Sequence, residues 1–174
     1  MKTYLDCLPC FLNQALRAAR AVTDDEAVQR QVVNAVAKMI PELPLDLKPP
    51  ELAQRTYRII EQITGVNDPF HKAKMETNQA ALDIYPRLQK LVDDSSDRLF
   101  VACKLAIAGN SIDLGPKFNY GSVENLIDVA VNPLPMARFE YDLFRKNLGN
   151  SQRILYLGDN AGEIVFDRLL IEEI

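Results

Sequence analysis

Residues 153–167, Arg-Ile-Leu-Tyr-Leu-Gly-Asp-Asn-Ala-Gly-Glu-Ile-Val-Phe-Asp, constrain the fold most. The run 154–157 is short, apolar and bounded by polar residues and Gly158, which is how a buried strand reads. Gly158-Asp-Asn-Ala-Gly162 follows as a turn, and Ile164, Val165, Leu169 and Leu170 then recur at helical spacing. A strand that enters a helix through a glycine turn leaves backbone N–H groups facing the space beyond the strand end. Anions and phosphates suit that space. Asp159 and Asn160 stand in the same turn and offer the hard oxygen ligands that Mg²⁺, Mn²⁺ or Ca²⁺ prefer. The same residues also fit a plainer role, since Asn160 and Glu163 have the spacing of a capping box and the two glycines suit a tight turn.

A single strand cannot satisfy its own backbone groups and needs neighbours. The rest of the chain reads as helices. Phe11, Leu12, Ala15, Leu16, Ala19 and Val22 mark the face of a first helix, and Ala27, Val28, Val32, Ala35, Val36 and Met39 that of a second, capped by Thr23 or Asp24. A connection with four prolines leads to a third helix, opened at Pro50 and ended by Gly65. Asp68-Pro69 starts a fourth, which Pro86 kinks or ends. Residues 99–108 form a further helix stopped by Gly109, and a glycine-bearing loop runs over 110–121. Ser122 caps a helix with Leu126, Ile127 and Ala130 inside, and another begins at Pro135 or Met136 and reaches Leu148.

The expected class is therefore mostly α, with about eight helices and one or two short strands near the C-terminus. The final helix ends on Glu172-Glu173-Ile174 with no glycine cap, and its acids lie where the helix dipole disfavours them. This reads as the N-terminal portion of a longer α/β protein. A helical domain over 1–94 precedes the start of a metal-site domain over 95–174. The alternative is a complete helical protein whose apparent strand is an extended loop.

Composition narrows the function classes. With 174 residues the chain is long enough for a real core. Its net charge is −4 with acids and bases intermixed, and no basic block or basic–aromatic interleaving marks a nucleic-acid partner. No apolar run is long enough to cross a bilayer or act as a signal peptide, so no membrane partner is expected and the expected location is cytoplasmic. Three cysteines argue against a disulfide scaffold.

Four constellations could carry chemistry. Cys7-x-x-Cys10 has metal or redox spacing, but no second pair completes a tetrahedral zinc site, and it could equally be two small residues at a helix start. Cys103 lies on an apolar face and reads as a core thiol, so thiol labelling should reach it last. His71, the only histidine, has no nucleophile motif beside it, while Lys74 and Asn78 share a helix face that could approach a phosphate or face water. Asn110 and Asp113 sit after Gly109 in what reads as a second Asn/Asp loop. Two such loops in an acidic chain without a covalent-catalysis motif are the inventory of a hard-metal phosphate site.

The motifs Cys-Leu-Pro-Cys-Phe at 7–11, Asp-Pro-Phe with Lys74 and Asn78, Ala-Gly-Asn-Ser-Ile-Asp at 108–113 and Gly-Asp-Asn-Ala-Gly-Glu-Ile-Val-Phe-Asp at 158–167 occur in that order along the chain. In these the chain resembles the metal-dependent damage-control phosphatase family, most closely the prokaryotic branch with a CxxC near the N-terminus. The resemblance implies that Asp159 and Asn160 bind a catalytic divalent metal (Mg, Mn, Co or Ni) and that Asn110 and Asp113 lie near substrate or metal. It also implies a Rossmann-like sheet domain, a further metal-ligand acid and a lysine- and glycine-bearing phosphate loop, which this chain does not include. The functional expectation is hydrolysis of small phosphorylated metabolites or sugar phosphates. Asp159, Asn160 and Glu163 are the catalytic candidates, and Lys74, Asn78, Asn110, Asp113, Ala161 and Gly162 the substrate side. Cys7 and Cys10 remain as a second metal or redox pair. The chain alone is expected to be catalytically poor and to self-associate as a homo-oligomer through an exposed apolar face of the last helix. Two other readings stay open: a metal or redox module centred on the CxxC, and a non-catalytic helical interaction protein.

Overall fold

The computed structural model describes residues 2–111 and 140–174. Asp113, the helix expected after Ser122, and the helix start at Pro135 or Met136 lie outside the described residues. The chain forms two compact units, Met1–Lys72 and Ala73–Ile174.

The first unit packs α1 (Cys7–Val22), α2 (Glu26–Met39) and α3 (Pro49–Thr64), with a 3₁₀ turn at Ile40–Glu42. Local chemistry sets the boundaries. Asp25, one residue later than the expected cap, accepts the Ala27 N–H at 2.8 Å. The Glu51 carboxylate accepts the Lys48 N–H at 2.8 Å ahead of α3. Gly65 closes α3 in the left-handed region, φ 73°, where a side chain would be strained. Ala15, Ala18 and Ala19 of α1 let Val32, Val36 and Ile60 approach closely, and a neighbouring cluster joins Phe11, Leu43 and Leu52 with the flank of Cys7.

In the second unit lie α4 (His71–Asp93), whose first turn holds the unit boundary, α5 (Arg98–Ser111), α6 (Tyr141–Gly149) and α7 (Glu163–Glu172). Its core is three interlocking stripes at helical spacing: Ala81, Ile84, Leu88 and Val92 of α4; Ala102, Leu105 and Ala108 of α5; and Val165, Phe166 and Leu169 of α7.

Several expectations are corrected here. Of the two outcomes open at Pro86, an end is excluded, since α4 continues through it to Asp93. Gly109 does not stop α5, which runs on to Ser111, so Asn110 is on a helix and not in a loop. The reason is packing: a Cβ at Gly109 would lie 2.6 Å from Cγ of Phe166, so the missing side chain lets α7 close on α5. The apolar face of α7 is not left open, because Val165, Phe166 and Leu169 are buried against α5, while Ile164 and Ile171 on its other side are exposed. Among the described residues no strand forms. The run 154–157 enters no ladder, and Leu155 and Leu157 are 85% and 82% exposed, because no described segment supplies a strand beside it. The described chain is thus mostly helical.

The acids that end α7 have partners that outweigh the dipole. Glu172 accepts from the Tyr85 hydroxyl at 2.5 Å and from Arg168 at 2.6 Å, and Glu173 receives both nitrogens of an Arg98 fork at 2.6 and 2.9 Å. Burial, and then the bond to Glu172, push Tyr85 up to about 12.

Asp97 opens α5, accepting the Phe100 N–H at 3.2 Å, and also takes the Tyr141 hydroxyl at 2.7 Å and Arg145 at 3.1 Å from α6. The Tyr141 bond, helped by Phe100 N–H and Arg145 and opposed by burial, holds Asp97 below its ordinary 3.8. A carboxyl whose folded pKa is depressed contributes stability above its unfolded pKa and loses it as pH falls through the folded value. The stability penalty of Tyr141→Phe is therefore expected in full at pH 7 and shrunken at about pH 3. Urea unfolding of both proteins at the two pH values checks this; an equal penalty at both would contradict it.

Candidate functional site

The turn before α7 is held by a side chain from α4. Asn78 Oδ1 accepts the N–H of Gly162 at 2.6 Å, and Gly162, at φ 83°, turns the chain into the helix as its N-cap. Ile164 N–H donates to the Asn160 carbonyl and Val165 N–H to the Gly162 carbonyl. The donors of Gly162, Ile164 and Val165 are thus engaged within the protein. The capping-box spacing of Asn160 and Glu163 is used differently, through a contact between their side chains.

Glu163 is the centre of that contact. Its Oε2 accepts from Asn110 Nδ2 at 2.8 Å, and its Oε1 accepts from Asn160 Nδ2 at 3.2 Å. An ionised carboxylate can only accept, so both amides must turn their nitrogens to it and their Oδ1 atoms away. One residue from the end of α5, one from the turn and one from α7 are locked together. The glycine beside Asn110 and the Phe166 one turn beyond Glu163 set the separation of the two helices at this point.

Asp159, Glu163 and Asn110 line a cleft of about 510 Å³. Its apolar wall comes from Ala106, Ile107, Phe144, Leu157 and Leu170. Cys103, Tyr141, Tyr156 and Asp167 complete much of the rest. Tyr156 donates to Asp167 Oδ1 at 2.7 Å, and burial followed by that bond holds its phenol well above the usual range. Cys103 is buried as expected; burial, with the nearby Asp97 charge, pushes its thiol up to about 11, so it stays protonated.

The sequence-named residues divide clearly. Asn110, Asn160 and Glu163 come together through hydrogen bonds, and Asp159 joins two of them on the cleft. Asn78 and Gly162 meet each other, and Ala161 lies in the turn just before Gly162. Lys74, one turn before Asn78 on α4, is exposed and does not line the cleft. Cys7 and Cys10 belong to the other unit. Sequence reasoning missed the pairing of Tyr156 and Asp167; the signal available was their position on either side of the turn, Asp167 one helical turn beyond Glu163.

The donor set can be tested against a divalent cation by its chemistry. Among the described residues no group of three His, Cys, Asp or Glu side chains is close enough to hold a metal, so these residues make no closed protein cage. A small hard cation of the Mg²⁺ type needs less, since it keeps several waters and takes one or two protein oxygens plus substrate phosphate. The Asp159 carboxylate and the outward-turned Oδ1 of Asn160 fit that requirement.

The chain as a whole is similar to a known group of proteins. The profile of the damage-control phosphatase ARMT1-like domain matches residues 3–174. A damage-control phosphatase of Archaeoglobus fulgidus is 32% identical over 172 residues, covering 97% of this chain and 59% of that protein. A damage-control phosphatase of Pyrococcus horikoshii is 29% identical over 178 residues, covering all of this chain and 60% of that protein. An uncharacterized protein of Methanocaldococcus jannaschii is 32% identical, with 97% and 57% covered. The crystal structure of a DUF89 family protein from P. horikoshii superposes with a TM-score of 0.85 at 25% identity, over 99% of this chain and 60% of that one. The chain therefore spans under two thirds of the length of each of these relatives.

Proposed function

The chain belongs to the damage-control phosphatase ARMT1-like domain family, and from that membership we propose that it carries the site of a metal-dependent phosphatase acting on small phosphorylated metabolites or sugar phosphates. The observation that carries this reading is the Glu163 carboxylate clasped by the Asn110 and Asn160 amides, with Asp159 on the same cleft. Asp159 and Asn160 would hold a divalent ion through oxygen. When bound, that ion supplies polarisation of the phosphoryl oxygen and activation of a water. Glu163, fixed in direction by two donors, orients the attacking water and can take its proton. The Gly162, Ile164 and Val165 donors are engaged, and the backbone N–H of Ala161 is a candidate donor to the phosphate from this turn. Asn110 supports the substrate side through its amide. Asn78 and Gly162 act together by holding the turn.

We further infer that residues 154–157 are a strand of an α/β sheet whose other strands come from outside the described residues. The exposure of the apolar Leu155 and Leu157 supports this.

The test is hydrolysis of p-nitrophenyl phosphate with Mg²⁺, Mn²⁺, Co²⁺ or Ni²⁺, before and after EDTA. Turnover that appears with metal and disappears in chelator is the expected outcome. Undiminished turnover in chelator would sink the reading.

A further inference from the structure

The Cys7–Cys10 pair lies in the first unit, while the phosphatase reading rests entirely on the second. Both cysteines are free thiols on the first turn of α1, three residues apart and therefore on one face of the helix. That spacing puts the two Cα atoms about 5 Å apart, within the range a disulfide accepts, so closing the bond needs only a local side-chain adjustment. Asp6 makes no side-chain cap bond at this helix start, and Pro9 suits the first turn, whose N–H groups have no partner within the helix.

The two sulfurs have different surroundings. Cys10 is exposed, and Gln14 Nε2 donates to its Sγ at 3.6 Å, which fixes the direction of the sulfur. Cys7 is half-buried and packs against Phe11, Leu43 and Leu52. Cys10 is therefore the thiol more open to a reagent from solvent, and Cys7 the more sheltered one beside it. A second metal is the less suited occupant, since among the described residues no third His, Cys, Asp or Glu stands by the pair.

We propose that Cys7 and Cys10 form a thiol–disulfide exchange site whose co-substrate is a low-molecular-weight disulfide, with Cys10 as the attacking thiol and Cys7 as the resolving thiol. In the first step Cys10 gives its proton to water and its thiolate attacks one sulfur of the small disulfide. A Cys10 mixed disulfide forms, the original S–S bond breaks, and one small thiolate leaves and is protonated. In the second step the Cys7 thiolate attacks Cys10 Sγ, forms the Cys7–Cys10 bond and expels the second small thiol. The protein loses two electrons and two protons, and the small disulfide gains both.

Oxidised glutathione is the probe, read by intact mass and peptide mapping. The wild-type protein should lose two hydrogens and carry no lasting adduct. Cys7→Ser, and Cys7→Ala as the better-packed alternative, should stop at a glutathione adduct on Cys10. Cys10→Ser should react about tenfold more slowly or less, with label on Cys7 only. Circular dichroism of each variant shows that α1 remains folded. A wild-type protein that stops at the mixed disulfide, or a Cys10→Ser variant that reacts at the wild-type rate, would overturn the proposal. The readout is independent of phosphatase activity, so either idea can fail without the other.

Discussion

Gly109→Ala is expected to destabilise the protein by about 2 kcal/mol, although glycine-to-alanine in a helix interior ordinarily gains about 1 kcal/mol. The sign reverses because of what the new methyl would meet. It would lie 2.6, 2.7 and 3.0 Å from Cγ, Cβ and Cδ2 of Phe166, a side chain only 1% exposed and packed among α4, α5 and α7. Phe166 has no open side to move into, so the helices must separate, and overpacking of this kind costs about 1–3 kcal/mol beyond the propensity gain. Chemical unfolding measures the loss. A double variant separates this cause from any other: with Phe166→Ala in place, which removes the Cγ and Cδ2 contacts and empties the space around Cβ, the added methyl should cost clearly less, a coupling that independent sites do not show. A Gly109→Ala protein as stable as the parent would mean that the two helices are not in this contact.

On the proposed phosphatase reading, Asp159→Ala should lower whatever metal-dependent turnover the parent protein shows by about 10²–10³ and leave the melting temperature unchanged. Metal-assisted charge stabilisation is worth several kcal/mol, and each 1.36 kcal/mol is a factor of ten in rate. Asp159 is exposed in the turn, so folding depends little on it. Asp159→Asn, which keeps the oxygen but not the charge, should fall between the two in a Mn²⁺ titration. Full turnover in the alanine variant would remove Asp159 from the site.

Local signals were readable in the sequence when their cause was local. The faces of α1 to α3 follow from apolar spacing, and Gly65 ends α3 because glycine takes the left-handed cap without strain. Gly109 carried the same local appearance and meant something else. Its role is set by Phe166, far along the chain, and no window around residue 109 contains that information. The error carried over to Asn110, expected in a loop and found on α5. The site shows the same division. Asp159, Asn160 and Glu163 were named from one short turn, whereas the Asn110–Glu163 bond joins residues 53 apart and needs the packed helices to exist. The apparent strand at 154–157 was legible as an extended apolar run, but pairing is a property of two segments, and the described residues hold only one.

The clasp on Glu163 has a thermal consequence. Three side chains, each with several rotamers when free, are already confined before any ligand arrives. Most of that ordering entropy is spent during folding, and binding need not supply it again. The arrangement is also held by hydrogen bonds at a partly open surface, which loosen more readily than the Phe166 core beneath them. Warming therefore frees these rotamers while the helices are still packed, so the ligand must pay for ordering that a cold protein provides. Affinity then declines with temperature more steeply than folded population does.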